Sequence, residues 1–216
     1  MMRVGVVAVF ALLAACKASL PPEETTADGL VRVPSSSEGG VYRAPGVDFT
    51  RYKRLMIEPL TVEFVKGWRE QHKDVTDSEL RRIQLETSKN FLEVFTGIFV
   101  DEGPFELADV REPDVFVVVP RMIDLKIPAP ETEMDAGYRS YSPRPVSLQM
   151  TGELRDGVNG NILLLVITID SEDRYKVAQA GGGTRAANAH EIRDSLERWS
   201  RLVREAIDVA KASKPR

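Results

Sequence analysis

The stretch that most limits how this chain can fold is Val115-Phe116-Val117-Val118-Val119. It is an unbroken run of β-branched and aromatic residues, too short for a buried helix and apolar at both parities. Such a run predicts a central strand covered on both faces. The strand continues through Met122 to Ile127, where alternation with polar residues returns. Its neighbours are legible on both sides. Val146, Leu148, Met150, Gly152 and Leu154 alternate with polar residues, which predicts a half-buried strand. Asp156-Gly157 and Asn159-Gly160 are expected to supply the positive backbone dihedrals of a hairpin turn, with Ile162 to Ile169 as the returning strand. Upstream, Leu55 and Ile57 alternate, then the apolar set slips to Leu60, Val62 and Phe64. The slip falls at Glu58-Pro59, and a proline cannot donate to a ladder, so a bulge or bend is expected there.

Two helical patterns complete the domain. Thr76 and Glu79 have capping-box spacing, and Leu80, Ile83, Thr87, Phe91, Val94, Phe95 and Ile98 form one face, with Gly97 as the expected stop. A final helix is expected from about Glu191 to Ala210, on a face of Ile192, Leu196, Trp199, Val203, Ala206, Ile207 and Ala210. Lys66 to Val75 reads as a polar loop, and Phe99-Val100 and Phe105 to Leu107 as short strand pieces. Pro128 to Pro145 is a long loop carrying Tyr138 and Tyr141, and Gly181-Gly182-Gly183 a loose connector. The expected fold is α+β: a two-layer domain with a mixed sheet of four or five strands and two long helices packed on one face. The sheet's other face then needs a cover, either the 128–145 loop or another protein, because large apolar patches are seldom left exposed.

The chain start has a separate logic. The cationic Met1-Met2-Arg3 precedes an apolar run from Val4 to Leu13, far short of the roughly 20 residues that span a bilayer. It fits the h-region of a secretory signal peptide, residues 1–15, with small residues at the cut. Leu13-Ala14-Ala15-Cys16 resembles the lipobox of bacterial lipoproteins, where the thiol takes a diacylglyceryl group and the freed amine is acylated, by palmitate for example. Cys16 is the single cysteine of the chain, so lipidation would leave neither an odd thiol nor a disulfide, and the core must hold itself together. Two or more acyl chains give stable anchoring. Lys17 after the cysteine, rather than Asp, resembles the outer-membrane sorting pattern of enteric bacteria. The expected place is therefore the periplasmic face of the outer membrane.

Residues 16–46 are expected to be the lipidated cysteine and a flexible tether. They hold Pro21-Pro22-Glu23-Glu24 and Ser35-Ser36-Ser37-Glu38-Gly39-Gly40 with few large apolar side chains, too few to offset ordering entropy. A single periplasmic domain is expected over 47–212. The formal charge of −4, which becomes −5 once Arg3 is removed, argues against a nucleic-acid partner.

No catalytic constellation emerges from the residue pattern. The two histidines, His72 and His190, are far apart and lack HExxH spacing, so no metal site is expected. Lipidation of Cys16 leaves no Cys–His nucleophile. Gly181-Gly182-Gly183-Thr184 lacks P-loop spacing, and Asp170-Ser171-Glu172-Asp173 lacks the twelve-residue calcium loop. Glu58, a carboxylate inside an apolar strand beside a break, is the candidate for a ligand or partner site, together with Tyr138 and Tyr141. Ordinarily such a glutamate faces solvent or pairs with an arginine.

Tyr42-Arg43-Ala44-Pro45-Gly46-Val47-Asp48-Phe49-Thr50-Arg51-Tyr52-Lys53-Arg54-Leu55-Met56-Ile57-Glu58-Pro59 resembles the opening signature of an uncharacterised bacterial lipoprotein family, a domain of unknown function. Leu196 to Ala206 is similar to that family's last helix. The resemblance implies a lipoprotein with a periplasmic α/β domain and no established reaction. The order of elements more loosely resembles periplasmic accessory lipoproteins, including activators of peptidoglycan synthases, a fold-level analogy. The expectation is a membrane-anchored, non-enzymatic binding or accessory module, without a cofactor, partnered by an envelope protein or by itself. The alternative is a small-ligand carrier or a hydrolase with a pocket near the 128–145 loop.

Overall fold

The computed structural model describes residues 25–35, 39–73, 75–127, 146–170 and 185–213. Cys16 and the rest of the lipobox, Tyr138, Tyr141 and the glycine run at 181–183 lie outside the described residues. The fold is α+β, built on one mixed sheet. Its strands are β1 (Val31–Val33), β2 (Gly40–Arg43), β3 (Arg54–Ile57), β4 (Thr61–Phe64), β5 (Glu106–Leu107), β6 (Val115–Lys126), β7 (Ser147–Asp156) and β8 (Ile162–Asp170). The order is β1-β2-β8-β7-β6-β3-β5, with β4 also on β6, and this sheet of eight strands replaces the expected four or five.

β6 is the spine. It runs antiparallel to β7 along one edge and parallel to β3, then β4, along the other. β3 pairs up to Ile57↔Val118 and β4 takes over from Thr61↔Arg121. The break at Glu58-Pro59 is therefore real, and it has a counterpart. Pro120, which has no N–H to donate, sits on β6 where neither β3 nor β4 is paired, so the missing donor leaves no carbonyl waiting. Further on, Asp124 adopts φ 52°, where the β6–β7 register shifts between Ile123 and Lys126. An aspartate tolerates this left-handed conformation better than most residues.

The expectation that residues 16–46 form a tether is corrected for their second half. β1 and β2 join the sheet beside β8, with Val41 opposite Val166, and Leu30 and Val41 are buried. Runs of three and four residues between Ser and Gly clusters are too short for their periodicity to stand out. Sheet hydrogen bonds and the apolar edge offered by β8 make them strands.

Three helices are described: α1 (Trp68–Gln71), α2 (Asp77–Thr96) and α3 (Arg185–Ala212). The expected loop at Lys66 to Val75 is wound into α1 because Trp68 has somewhere to go. Its indole is buried, donates to the Ile127 carbonyl (3.0 Å) and stacks between Phe64 and His72. α2 begins as expected, with Thr76 Oγ1 accepting from the Glu79 N–H (3.2 Å). Gly97 does not stop the winding. It keeps right-handed helical dihedrals and a π turn, Gly97–Asp101, follows, so Phe99-Val100 is helical rather than strand. The turn buries Phe99, which stacks on Phe95 at 4.2 Å. α3 starts earlier than Glu191.

α2, α3 and the sheet share one core. One of its two tryptophans, Trp199, lies over β7, where a Cβ on Gly152 would come within 2.2 Å of the indole. Glycine in this strand is thus a seat for tryptophan, with the indole N–H directed at the Val166 carbonyl (3.4 Å). In the hairpin, Gly160 has the expected positive φ of 72°, whereas Gly157 is required for space, since a Cβ there would meet the Glu112 carbonyl oxygen at 2.5 Å.

The sheet's other parity is less apolar than expected. Val115 and Val117 are buried, but Val119, Leu165 and Ile167 are only half-buried. Arg155 stands opposite Val117, and Glu153 opposite Val119 and Leu165. Arg155 and Glu153 also form an ion pair with each other. Long charged side chains lay their stems on apolar neighbours, so the sheet supplies part of its own cover.

Leu30 is 1% exposed. Leu30→Ala should lower unfolding stability by about 2–5 kcal/mol, the range for emptying a buried leucine site. Urea denaturation checks this, and a loss below about 0.5 kcal/mol, typical of exposed positions, would return the segment to the tether.

Candidate functional site

Two places gather polar groups, and their chemistry differs. The first joins the segment ahead of β3 to the β7–β8 hairpin. A 3-10 turn, Phe49–Arg51, is capped by Asp48, which accepts from the Thr50 N–H (2.9 Å). It delivers Tyr52 into the core, stacked on Phe116 at 4.0 Å. The Tyr52 hydroxyl donates to Asp156 Oδ2 (2.6 Å) and accepts from Arg51 (2.6 Å), and Arg51 also bonds the same carboxylate oxygen. Asp156 Oδ1 accepts from the N–H groups of Val158 and Asn159 (2.9 and 3.0 Å). Lys211 closes the cluster from α3 by donating to the Tyr52 carbonyl (2.9 Å), and burial pushes its ammonium down.

Burial, then the bond to Asp156, pushes the Tyr52 phenol up to about 12. Burial would also raise Asp156, but the bonds from Tyr52, Asn159 and Val158, with the Arg51 charge, outweigh it and hold the carboxyl below its ordinary value. A proton donor made weaker and a base made weaker are ill-suited to proton transfer near neutrality. Every oxygen here has its partner, so the cluster is a latch.

The second place is a partly open cleft between α2 and the start of α3. On α2, Glu79, Arg82, Ile83, Glu86, Thr87 and Asn90 face it, at helical steps of three, four, seven, eight and eleven from Glu79. Asn188, Ala189 and Ile192 face it from α3, and Ile127, at the end of β6, completes the lining. Ile127 is held by the indole bond from Trp68. The α3 wall is tied to the sheet by the Val146 N–H donating to Glu191 (3.0 Å), and to α2 by Arg193 and Glu93 (3.3 Å).

The rim and the interior are different. At the rim, Arg82 bonds Glu79 and Glu86, the latter at 2.9 Å, so these charges neutralise one another in part. Inside, Ile83, Ile127 and Ile192 are apolar. Asn188 is 7% exposed and Thr87 3%. Neither side chain, nor that of Asn90, has a hydrogen-bond partner among the described residues. Their polar atoms are open to solvent in the cleft, since among the described residues only Ser200 Oγ is fully buried without a partner. Thr87, Asn90 and Asn188 all line the cleft.

Of the residues singled out from sequence, Glu58, His72 and His190 lie elsewhere, while Tyr138 and Tyr141 fall outside the described residues. Glu58 pairs with Arg111 (2.9 Å) at the β3–β4 break, half in solvent. His72 stacks on Trp68, and His190 sits near Asp194 (3.6 Å) on the surface of α3. The structure brings none of these to the cleft. Asn188 was not signalled because it precedes the expected start of the last helix, and Thr87 reads as an ordinary core position. The one available signal was Asn90, which lies beside the apolar stripe of α2.

No family model and no curated protein match the chain. Among solved structures it is similar to a variant of PelC from Paraburkholderia phytofirmans, crystallised as a dodecamer, with TM-score 0.36 and 9% identity over 78% of this chain and 98% of that one. A second PelC dodecamer from the same organism gives TM-score 0.33 and 11% identity over 74% and 97%. A homolog of neuraminyllactose-binding hemagglutinin from Helicobacter pylori gives 0.29 and 11% over 80% and 88%. At these values the likeness assigns no function.

The latch makes a signed prediction for pH. Asp156 titrates lower in the fold than in the unfolded chain, so its contribution is present above about pH 4 and is lost as pH falls. Tyr52 titrates higher, so its contribution is present below about pH 10 and is lost as pH rises toward 12. Tyr52→Phe should cost about 1–3 kcal/mol at pH 7 and flatten the alkaline decline. Thermal melts across pH check this, and a variant curve parallel to wild type above pH 9 would contradict it.

Proposed function

We propose that the chain is a membrane-anchored lipoprotein, set by Cys16 on the periplasmic face of the bacterial outer membrane, whose domain binds a ligand rather than converting it. The lipobox-like Leu13-Ala14-Ala15-Cys16 and the Lys17 that follows support the anchor. The observation that carries the binding role is the cleft lining, where Asn188, Thr87 and Asn90, whose side chains have no hydrogen-bond partner among the described residues, stand beside Ile83, Ile127 and Ile192.

Binding is favoured over catalysis by the chemistry of the groups. Carboxamides and a threonine hydroxyl hold a ligand but exchange no protons near neutral pH. The nearby carboxylates, Glu79 and Glu86, are engaged by Arg82. The small-ligand carrier is thereby the form of this function that the cleft favours, and it lies beside Ile127, where the 128–145 segment begins. An envelope protein or a second copy of the chain is the other class of partner this reading admits.

Replacing Cys16 with Ser in the full-length chain should move it from the membrane to the soluble fraction. Intact mass should show acyl additions on wild type alone. A variant that stays in the membrane with its leader attached would reduce Cys16 to a bystander in a plain signal anchor.

A further inference from the structure

We infer that the cleft between α2 and α3 recognises a secondary amide carrying a small aliphatic group, as in an acetamido group or an alanine-type peptide unit. The inference rests on the binding reading above and adds the chemistry of the ligand.

The two walls each supply one carboxamide, Asn90 from α2 and Asn188 from α3. A carboxamide offers two donors and one acceptor, so a ligand that satisfies it must both accept and donate in one plane. A secondary amide does this with its C=O and N–H. The Thr87 hydroxyl, donor or acceptor by rotation, completes the polar side. Beside these groups, Ile83, Ile127 and Ile192 give the lining an aliphatic part that a methyl group would cover. Removing one methyl from water contributes about as much as a buried CH₂.

Charged ligands fit poorly. A carboxylate or phosphate has no donor for the amide oxygens and would approach a rim with two glutamates and one arginine. A cation would lose its hydration over isoleucine, and Glu79 and Glu86 already have Arg82. A hydroxyl-rich, amide-free ligand could bond the carboxamides but would leave the aliphatic part bare.

Acetamido sugars and short peptides share this chemistry. The test uses the full-length acylated protein in detergent micelles, following the side-chain amide signals of Asn90 and Asn188 by NMR. The probes are diacetylchitobiose, N-acetylalanine amide and, as the amide-free control, cellobiose. Either amide probe should shift both signals, cellobiose should not, and Asn188→Leu and Asn90→Leu should each weaken binding roughly tenfold or more. The probe that binds identifies the source. Cellobiose binding as well as the amide probes would overturn the amide inference and leave the cleft as a binding site. Failure of all three probes to shift either signal would overturn both the amide inference and the assignment of binding to this cleft.

Discussion

The architecture depends on how the hydrogen bonds of β6 are satisfied along both edges. One edge is straightforward, a long antiparallel ladder with β7. The other is shared by two short parallel strands, and the gap between them falls where β6 carries Pro120. Pro59 on one side and Pro120 on the other each remove a donor from the stretch that lacks a ladder. A donor at either place would need another partner. Once β6 is fixed, Phe116, Val118 and Met122 point into the core, Gly152 on β7 opens a seat, and Trp199 from α3 fills it. The latch of Arg51, Tyr52 and Asp156 then pins the entry of β3 to the hairpin between β7 and β8.

The parts of the fold that were legible in the sequence are those with long, consistent patterns. The central strand, the β7–β8 hairpin, the cap of α2 and the break at Pro59 each rest on several residues that agree. The missed parts are short or depend on distant partners. β1 and β2 are strands because β8 offers an edge, which no local pattern records. α1 forms where Trp68 finds a slot beneath Ile127. The π turn keeps Phe99 in the core past a glycine that would ordinarily end a helix. In each case a tertiary contact overrides a weak local preference.

Sequence and structure part most clearly at the cleft. Local reasoning puts Thr87 in the core and gives Asn188 no role, yet both line the cleft, and neither side chain has a hydrogen-bond partner among the described residues. Sequences agree across levels nearly everywhere in a folded protein, and the places where they do not are often functional. The contrast with the latch is instructive. Asp156 and Tyr52 are also buried and polar, but their partners come from within the chain, so they hold the fold together. Ser200 Oγ, on α3, is a fully buried hydroxyl without a partner among the described residues, a local destabilisation.

The central claim is that Asn188 lines the cleft to meet a ligand and makes no bond that the fold needs. The most direct measurement is the unfolding free energy of Asn188→Leu without any ligand, by urea denaturation at neutral pH. Leucine is close to asparagine in size and brings no unpaired dipole into a wall already apolar at Ile83 and Ile192. The account predicts a variant within about 0.5 kcal/mol of wild type, as at positions that hold nothing together. A variant destabilised by more than about 1 kcal/mol would mean that Asn188 has a partner in the folded chain, and the cleft would then be part of the scaffold.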